Sequence, residues 1–241
     1  KEYVDKLAKL YPKENRISEI YNKFYEHYKK FSNSKKSFLN GDKPLITLSM
    51  IVKNEEKYLE GCLESVYELV DEIIIVVTGS SDRTIEIAEK YGAKILHFRW
   101  IDDFSAARNE GLKHARGEWI LYLDADERLI EGKENLRFFL TTLPESVGAL
   151  VCSIDSLHTK NDGSSELHRG SYPRLFRNYG YPKICFLGKV HEQISQSIKA
   201  LGKDMLSSDL VIEHLGYNQS IEIIRKKAQR NYDMLMQQLK Q

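Results

Sequence analysis

Cysteine is scarce: the 241 residues hold only Cys62, Cys152 and Cys185, too far apart for any Cys-x-x-Cys pair. That argues against a disulfide framework and points to reduced, buried thiols in a cytoplasmic protein. No apolar run reaches the roughly 18 residues that a membrane-spanning helix needs. The start shows no secretory signal pattern. An excess of charge is missing too: 36 Lys and Arg face 35 Asp and Glu, for a net charge of +1. No global field therefore recruits nucleic acid or anionic lipid. No Gly-x-Gly-x-x-Gly follows any strand pattern, which argues against an NAD-dependent oxidoreductase. Internal repeats and low-complexity tracts are also absent.

What is present is an ordinary globular composition, 41% hydrophobic and 29% charged, long enough for a sizeable core. Residues 1–40 read as a helical arm, with Ile17, Ile20, Tyr21, Phe24, Tyr28 and Phe31 in an aromatic stripe. The stripe is expected to pack on the main domain; homodimerisation or acceptor docking is the alternative. Ser32–Pro44 reads as a linker.

From Leu45 strands alternate with helices. The strands are expected at Leu45–Val52, Ile73–Val77, Ala93–Phe98 and the run ending at Asp124. Lys53–Glu56 is expected to turn into a helix through about Leu69, with further helices from Ser81 or Asp82 to Tyr91 and from Phe104 to about Ala115. That alternation predicts an α/β fold with a mostly parallel, Rossmann-like sheet flanked by helices. Further on, a helix is expected over Glu134–Leu143 and strands at Val147–Ile154, Arg174–Arg177, Ile184–Leu187 and Leu210–His214. Asn161-Asp162-Gly163 gives a hairpin signal. This second half reads as a smaller antiparallel extension that closes a site. Ser220 is expected to cap a helix from Ile221 to about Leu239. The resulting domains are an arm at 1–40, a catalytic domain at 45–217 and a C-terminal helix at 218–241. The chain opens on Lys1 and closes on Gln241 within a helical pattern, so a longer protein is expected.

The organising stretch is Trp119-Ile120-Leu121-Tyr122-Leu123-Asp124-Ala125-Asp126-Glu127. A continuous apolar run of this kind reads as a strand buried on both faces. Ligands of open α/β sheets sit beyond the carboxyl ends of the strands, where Asp124 and Asp126 emerge. Two carboxylates so placed can hold Mg²⁺ or Mn²⁺, with water and phosphate oxygens completing the shell.

Several motifs occur in register: Ile51-Val52-Lys53-Asn54-Glu55-Glu56, Thr78-Gly79-Ser80-Ser81-Asp82-x-Thr84, Asp103-Phe104-Ser105-Ala106-Ala107-Arg108-Asn109, and Asp124-Ala125-Asp126. Gly188-Lys189-Val190-His191-Glu192 and His214-Leu215-Gly216-Tyr217 follow. In this order, over about residues 45–235, the chain resembles the family 2 glycosyltransferases of the GT-A fold. It is most similar to the branch holding lipopolysaccharide-core glucosyltransferases and the sublancin peptide S-glycosyltransferase.

The resemblance implies an inverting transfer from a nucleotide diphosphate sugar, usually a UDP-sugar, to a peptide, protein or glycan acceptor. It also implies Mn²⁺ or Mg²⁺ on the Asp124-Ala125-Asp126 motif, with His214 as a further metal or diphosphate contact. It places Val52, Lys53, Asn54 and Glu55 near base and ribose, with Thr78 and Ser80 beside them. Val77 stands where the family usually has Asp, and the Thr78 hydroxyl is the candidate substitute.

A departing diphosphate needs fixed positive charge, and the acceptor must lose a proton. Glu192 is the favoured base and His191 the acceptor or phosphate contact; the reverse stays open, as does a plain Glu–Arg pair. Arg108 either binds diphosphate or orients Asp124. Asn109 reads as a helix-face polar group and Trp100 as core. At least one of Arg174 and Arg177 is expected to face solvent. Tyr172, Tyr179, Tyr181 and His168 are candidate acceptor-groove residues. Two alternatives remain: a catalytically weak nucleotide-sugar-binding protein, which Val77 favours, and a sugar nucleotidyltransferase. The glycine-free loop Lys53–Glu56 argues against the latter.

Overall fold

In the computed structural model the described residues are 44–159, 165–216 and 221–238. The N-terminal arm with its possible dimer contact, the linker up to residue 43, the turn at Asn161–Gly163, Tyr217 and the cap Ser220 lie outside them. The strands are β1 (Ile46–Val52), β2 (Glu72–Val77), β3 (Lys94–His97), β4 (Trp119–Tyr122), β5 (Glu127–Glu131), β6 (Val147–Thr159), β7 (Ser165–Arg177) and β8 (Asp204–His214). The helices are α1 (Leu59–Val66), α2 (Thr84–Lys90), α3 (Phe104–His114), α4 (Leu136–Thr142), α5 (Ser195–Ala200) and α6 (Ile221–Gln238). Among the described residues, no helix is long and apolar enough to cross a membrane.

All eight strands form one sheet in the order β3-β2-β1-β4-β7-β6-β8-β5. β1 lies parallel between β2 and β4, and β3 joins β2 in parallel. The second half joins the same sheet, with β7 antiparallel to β4 and to β6, β8 parallel to β6, and β5 antiparallel to β8.

β1, β2 and β4 are apolar runs because both faces are covered. Ile46, Leu48, Met50 and Val52 of β1 pack with Leu59, Cys62, Leu63 and Val66 of α1. The opposite face of β1 carries the small residues Thr47 and Ser49, both buried. There α3 comes so close that a Cβ on Gly111 would lie 2.5 Å from Ser49 Oγ. A second core joins Leu112, Ile120, Tyr122, Phe176, Ile184 and Phe186.

The structure differs from expectation in three places. The first helix is shorter than expected, Leu59–Val66, and the turn at residues 53–56 that leads to it is tied to the loop after β2. Asn54 N–H donates to Ser80 Oγ at 3.0 Å, Ser81 N–H to Asn54 Oδ1 at 2.8 Å and Glu55 N–H to Thr84 Oγ1 at 2.8 Å. Ile184–Leu187 forms no named strand. Its apolar residues anchor a loop, and the Asn109 amide bonds both the carbonyl and the N–H of Phe186, at 3.0 and 2.7 Å. Asn109, a polar group on the face of α3, is thus also a loop anchor. Finally, the strands read as Val147–Ile154, Arg174–Arg177 and Leu210–His214 extend to 13, 13 and 11 residues.

Candidate active site

The loops leaving β1, β2 and β4 open on one cleft of about 480 Å³, within the usual range for a small-molecule site. Val52, Lys53, Glu55, Thr78, Arg108, Asp124, Ala125, Asp126, His191, Glu192 and His214 all line it. The expected nucleotide contacts Asn54 and Ser80 do not. Asn54 sits at φ +56°, and both side chains are spent bracing the two loops against each other. The Thr78 hydroxyl donates to the Val52 carbonyl at 3.2 Å. Val77 is buried in the main core.

Asp124 is fixed from several directions. Its backbone N–H donates to Glu127 Oε2 at 2.9 Å, and the Cys62 thiol meets its carbonyl at 3.4 Å. Arg108 donates from Nη2 to Asp124 Oδ1 at 2.7 Å and from Nε to Glu192 Oε1 at 2.5 Å. Arg108 therefore does orient Asp124, and it joins that residue to the expected base. Burial works against the charge on Asp124; the charges of Arg108 and Arg174 and the Arg108 hydrogen bond outweigh it and hold the carboxyl well below its ordinary pKa.

Behind this bridge, Arg174 donates to Glu127 Oε1 at 2.6 Å. Glu127 is 1% exposed, and burial raises its pKa against the opposing charge of Arg174. Arg108 Nη1 and Arg174 Nε have no hydrogen-bond partner, but both guanidiniums lie over the Tyr122 ring, at 5.0 and 4.6 Å from its centroid. The ring's negative face offsets part of that cost.

Asp126 Oδ2 and His214 Nε2 face each other at 3.5 Å. Burial disfavours the imidazolium, yet the hydrogen bond and charge of Asp126, with Glu127 and Asp124, raise the His214 pKa above its ordinary value. Ser156 Oγ lies 3.3 Å from the far nitrogen, Nδ1. The opening is kept by Gly216, where a Cβ would overlap Asp126 Oδ2 and lie 2.6 Å from His214 Nε2.

A carboxylate and an imidazole this close suit one hard divalent cation, with water and phosphate oxygens completing its shell. The expected set of Asp124, Asp126 and His214 is not gathered, and among the described residues no group of three or more such side chains forms a metal site. Arg108 holds the Asp124 carboxylate instead.

On the acceptor side, Glu192 is 13% exposed in its side chain and pairs with Arg108. His191 is exposed and sits at φ +58°, a backbone state uncommon for a non-glycine residue. Trp100 is not core; it lines the cleft, donates to Asp102 Oδ1 at 2.8 Å and packs edge-on to Phe104. Neither arginine read as solvent-facing is so: Arg177 pairs with Glu118 at 2.8 Å over the Trp119 ring, and Arg174 is buried. Tyr172, Tyr179, Tyr181 and His168 do not line the cleft.

Sequence reasoning missed Glu127 and Arg174 as partners. For Arg174 the available signal was a charged residue beside the apolar pair Leu175-Phe176; Glu127, at the start of β5 among other charged residues, had none. It also missed Phe104, Arg230 and Asn231, which line the cleft; no local pattern marks them.

The family model for glycosyl transferase family 2 matches residues 47–179. A TPR repeat-containing protein of Synechococcus elongatus is 40% identical over 192 residues, covering 77% of this chain and 45% of that protein. The SPbeta prophage-derived glycosyltransferase SunS of Bacillus subtilis is 32% identical over 211 residues, 83% of this chain and 46% of SunS. The chain thus spans about half the length of these curated relatives. Among solved structures, Staphylococcus aureus TarS 1-349 in complex with UDP aligns with a TM-score of 0.52 at 21% identity, over 70% of this chain and 60% of that one. The mannosyltransferase PcManGT of Pyrobaculum calidifontis, in complex with GDP-Man and Mn²⁺, aligns at 0.56 and 16% identity, over 92% and 73%. At such identities the likeness carries the fold, and the fold is the GT-A arrangement expected. With a family match over more than half of its length on a cleft built at the carboxyl edge of that sheet, the chain belongs to glycosyl transferase family 2.

Proposed function

We propose that this chain carries the catalytic domain of an inverting, metal-dependent glycosyltransferase using a nucleoside diphosphate sugar, with UDP-sugars the first choice. The acceptor class is a peptide or protein side chain or a glycan. The observation that carries the reading is the Asp126–His214 pair, 3.5 Å apart at the cleft floor beside the Arg108-held Asp124. Asp126 and His214 would hold Mn²⁺ or Mg²⁺. The cation would supply Lewis-acid stabilisation to the leaving diphosphate. Complexes of PcManGT with GDP-Man and Mn²⁺ and of TarS with UDP support this class of donor.

Glu192 takes the acceptor proton. Its Oε1 is anchored to Arg108, which leaves Oε2 to face an incoming hydroxyl or thiol. His191, exposed on the same rim, contacts the acceptor. Lys53 and Glu55, at the end of β1, hold the nucleoside, with Val52, Thr78 and Ala125 lining that end of the cleft. The family model and the relatives' names favour sugar transfer over the nucleotidyl alternative.

The direct test measures UDP and GDP affinity with and without MnCl₂ for the native chain and Asp126→Ala, and transfer of label from radiolabelled UDP-sugars to host extract. Asp126→Ala is expected to lose the Mn²⁺-dependent part of binding by tenfold or more. Equal, metal-independent affinity in both proteins would overturn the metal role; absence of any labelled product or released sugar would overturn transfer.

A further inference from the structure

The cleft's buried cations are already spoken for. Arg108 is divided between Asp124 and Glu192, and Arg174 is paired with Glu127. Neither brings net positive charge to a bound diphosphate. Arg230 of α6 differs. It lines the same cleft with Asn231, and α6 lies beyond residues 47–179, the segment matched by the family model.

Its guanidinium lies over the Phe104 ring, 5.0 Å from the centroid. Nε and Nη2 donate to Asn231 Oδ1 at 3.2 and 3.1 Å. Among the described residues, no carboxylate stands within ion-pair reach of it. Although the residue is largely exposed, protein packed around the guanidinium desolvates it and lowers its pKa from the ordinary arginine value, against the opposing charge of Asp102. A partly desolvated guanidinium with the Asp102 charge near it but no carboxylate in contact carries an electrostatic cost, and an incoming anion lowers it.

Position indicates which anion. Phe104 and Arg108 are one turn apart on α3, so their side chains share a face. A cation stacked on Phe104 therefore sits on the face of α3 that carries Arg108, in the cleft that Asp124, Asp126 and His214 also line. The planar fork of an arginine suits two phosphate oxygens at once.

We propose that Arg230, oriented by the Phe104 ring and the Asn231 amide, is a catalytic residue that binds the β-phosphate of the donor and receives its charge as the sugar departs. The proposal rests on the glycosyltransferase reading above. It gives α6 a chemical role: the helix brings to the cleft a cation that no residue of the sheet neutralises.

The test is titration calorimetry in constant MnCl₂ with UDP and UMP, and with GDP and GMP, on the native chain, Arg230→Met and Arg230→Lys. Met keeps the contact with Phe104 and removes the charge. The expected result is a loss of about ten- to a hundredfold in diphosphate affinity for Arg230→Met. Monophosphate affinity should change less than about threefold, and Lys should restore part of the loss. Unchanged diphosphate binding, or equal losses for diphosphate and monophosphate, overturns the role of Arg230 and leaves the donor reading standing. Failure of the native chain to bind any of the four nucleotides overturns both.

Discussion

At the scale of single residues, the two sides of the cleft depend on different kinds of exactness. The Asp126–His214 side depends on an absent atom: Gly216 leaves the space that any Cβ would take from both side chains. Gly216→Ala is expected to displace the pair and weaken Mn²⁺-dependent nucleotide binding by tenfold or more, with an unchanged far-ultraviolet spectrum. Retained metal dependence would show that the pair tolerates the shift. On the other side, Glu192 depends on one guanidinium bond. Glu192→Gln keeps the shape but cannot accept a proton, so turnover should fall by about 10²–10⁴-fold. Donor affinity should stay within a few-fold; rapid transfer by this variant would move the base to His191. Lys53, Thr78 and Asp124 were readable because each comes at the end of an apolar strand run. Their partners were not: Glu192 lies 84 residues from Arg108 and Glu127 lies 47 from Arg174. A charged side chain announces that it needs a counter-ion, but only topology chooses which one.

At the scale of elements, the close packing of α3 on β1 sets where Arg108 points. Gly111 and Ser49 make that approach possible. Gly111→Ala should destabilise the fold by about 1–3 kcal/mol through overpacking. Ser49→Ala should recover most of this in the double variant, because the added Cβ would then face the residue-49 Cβ at 3.9 Å. Chemical denaturation of the four proteins gives the coupling; additive losses would place the strain elsewhere. The strands and helices of the first half were legible because β4 and β2 from Ile73 on are apolar and β1 is broken only by the small residues Thr47 and Ser49, a signal that needs no knowledge of neighbours. Residues 53–56 were legible as a turn, but not what holds it, because their hydrogen bonds come from the loop after β2, 26 to 29 residues away.

For the molecule as a whole, Glu72 should contribute to acid sensitivity beside the Arg108-held Asp124. Glu72 Oε2 accepts from Thr47 Oγ1 at 2.6 Å and from the Arg116 N–H at 2.9 Å, while its Oε1 takes Arg116 Nε at 2.7 Å. It thereby ties β1 and β2 to the segment before β4. Burial opposes its charge, and those bonds outweigh it to lower its pKa from 4.5. A carboxyl more acidic folded than unfolded contributes stability that is full above the unfolded value and lost as pH falls through the folded one. Glu72→Gln should therefore flatten the decline of Tm below about pH 4.5. Parallel melting curves from pH 7 to pH 3 would remove Glu72 from the account.

The pairing of β5 with β8 sets Glu127 opposite His214, and the ladder continues one step further as Leu215 N–H meets the Asp126 carbonyl at 2.8 Å. Side chains alternate faces along a strand, so a slip of one position would turn the imidazole to the other side of the sheet. Under the proposed metal role the pair is thus a proofreader of assembly: a chain that has zipped this edge out of step would present nothing for a metal-loaded nucleotide to grasp.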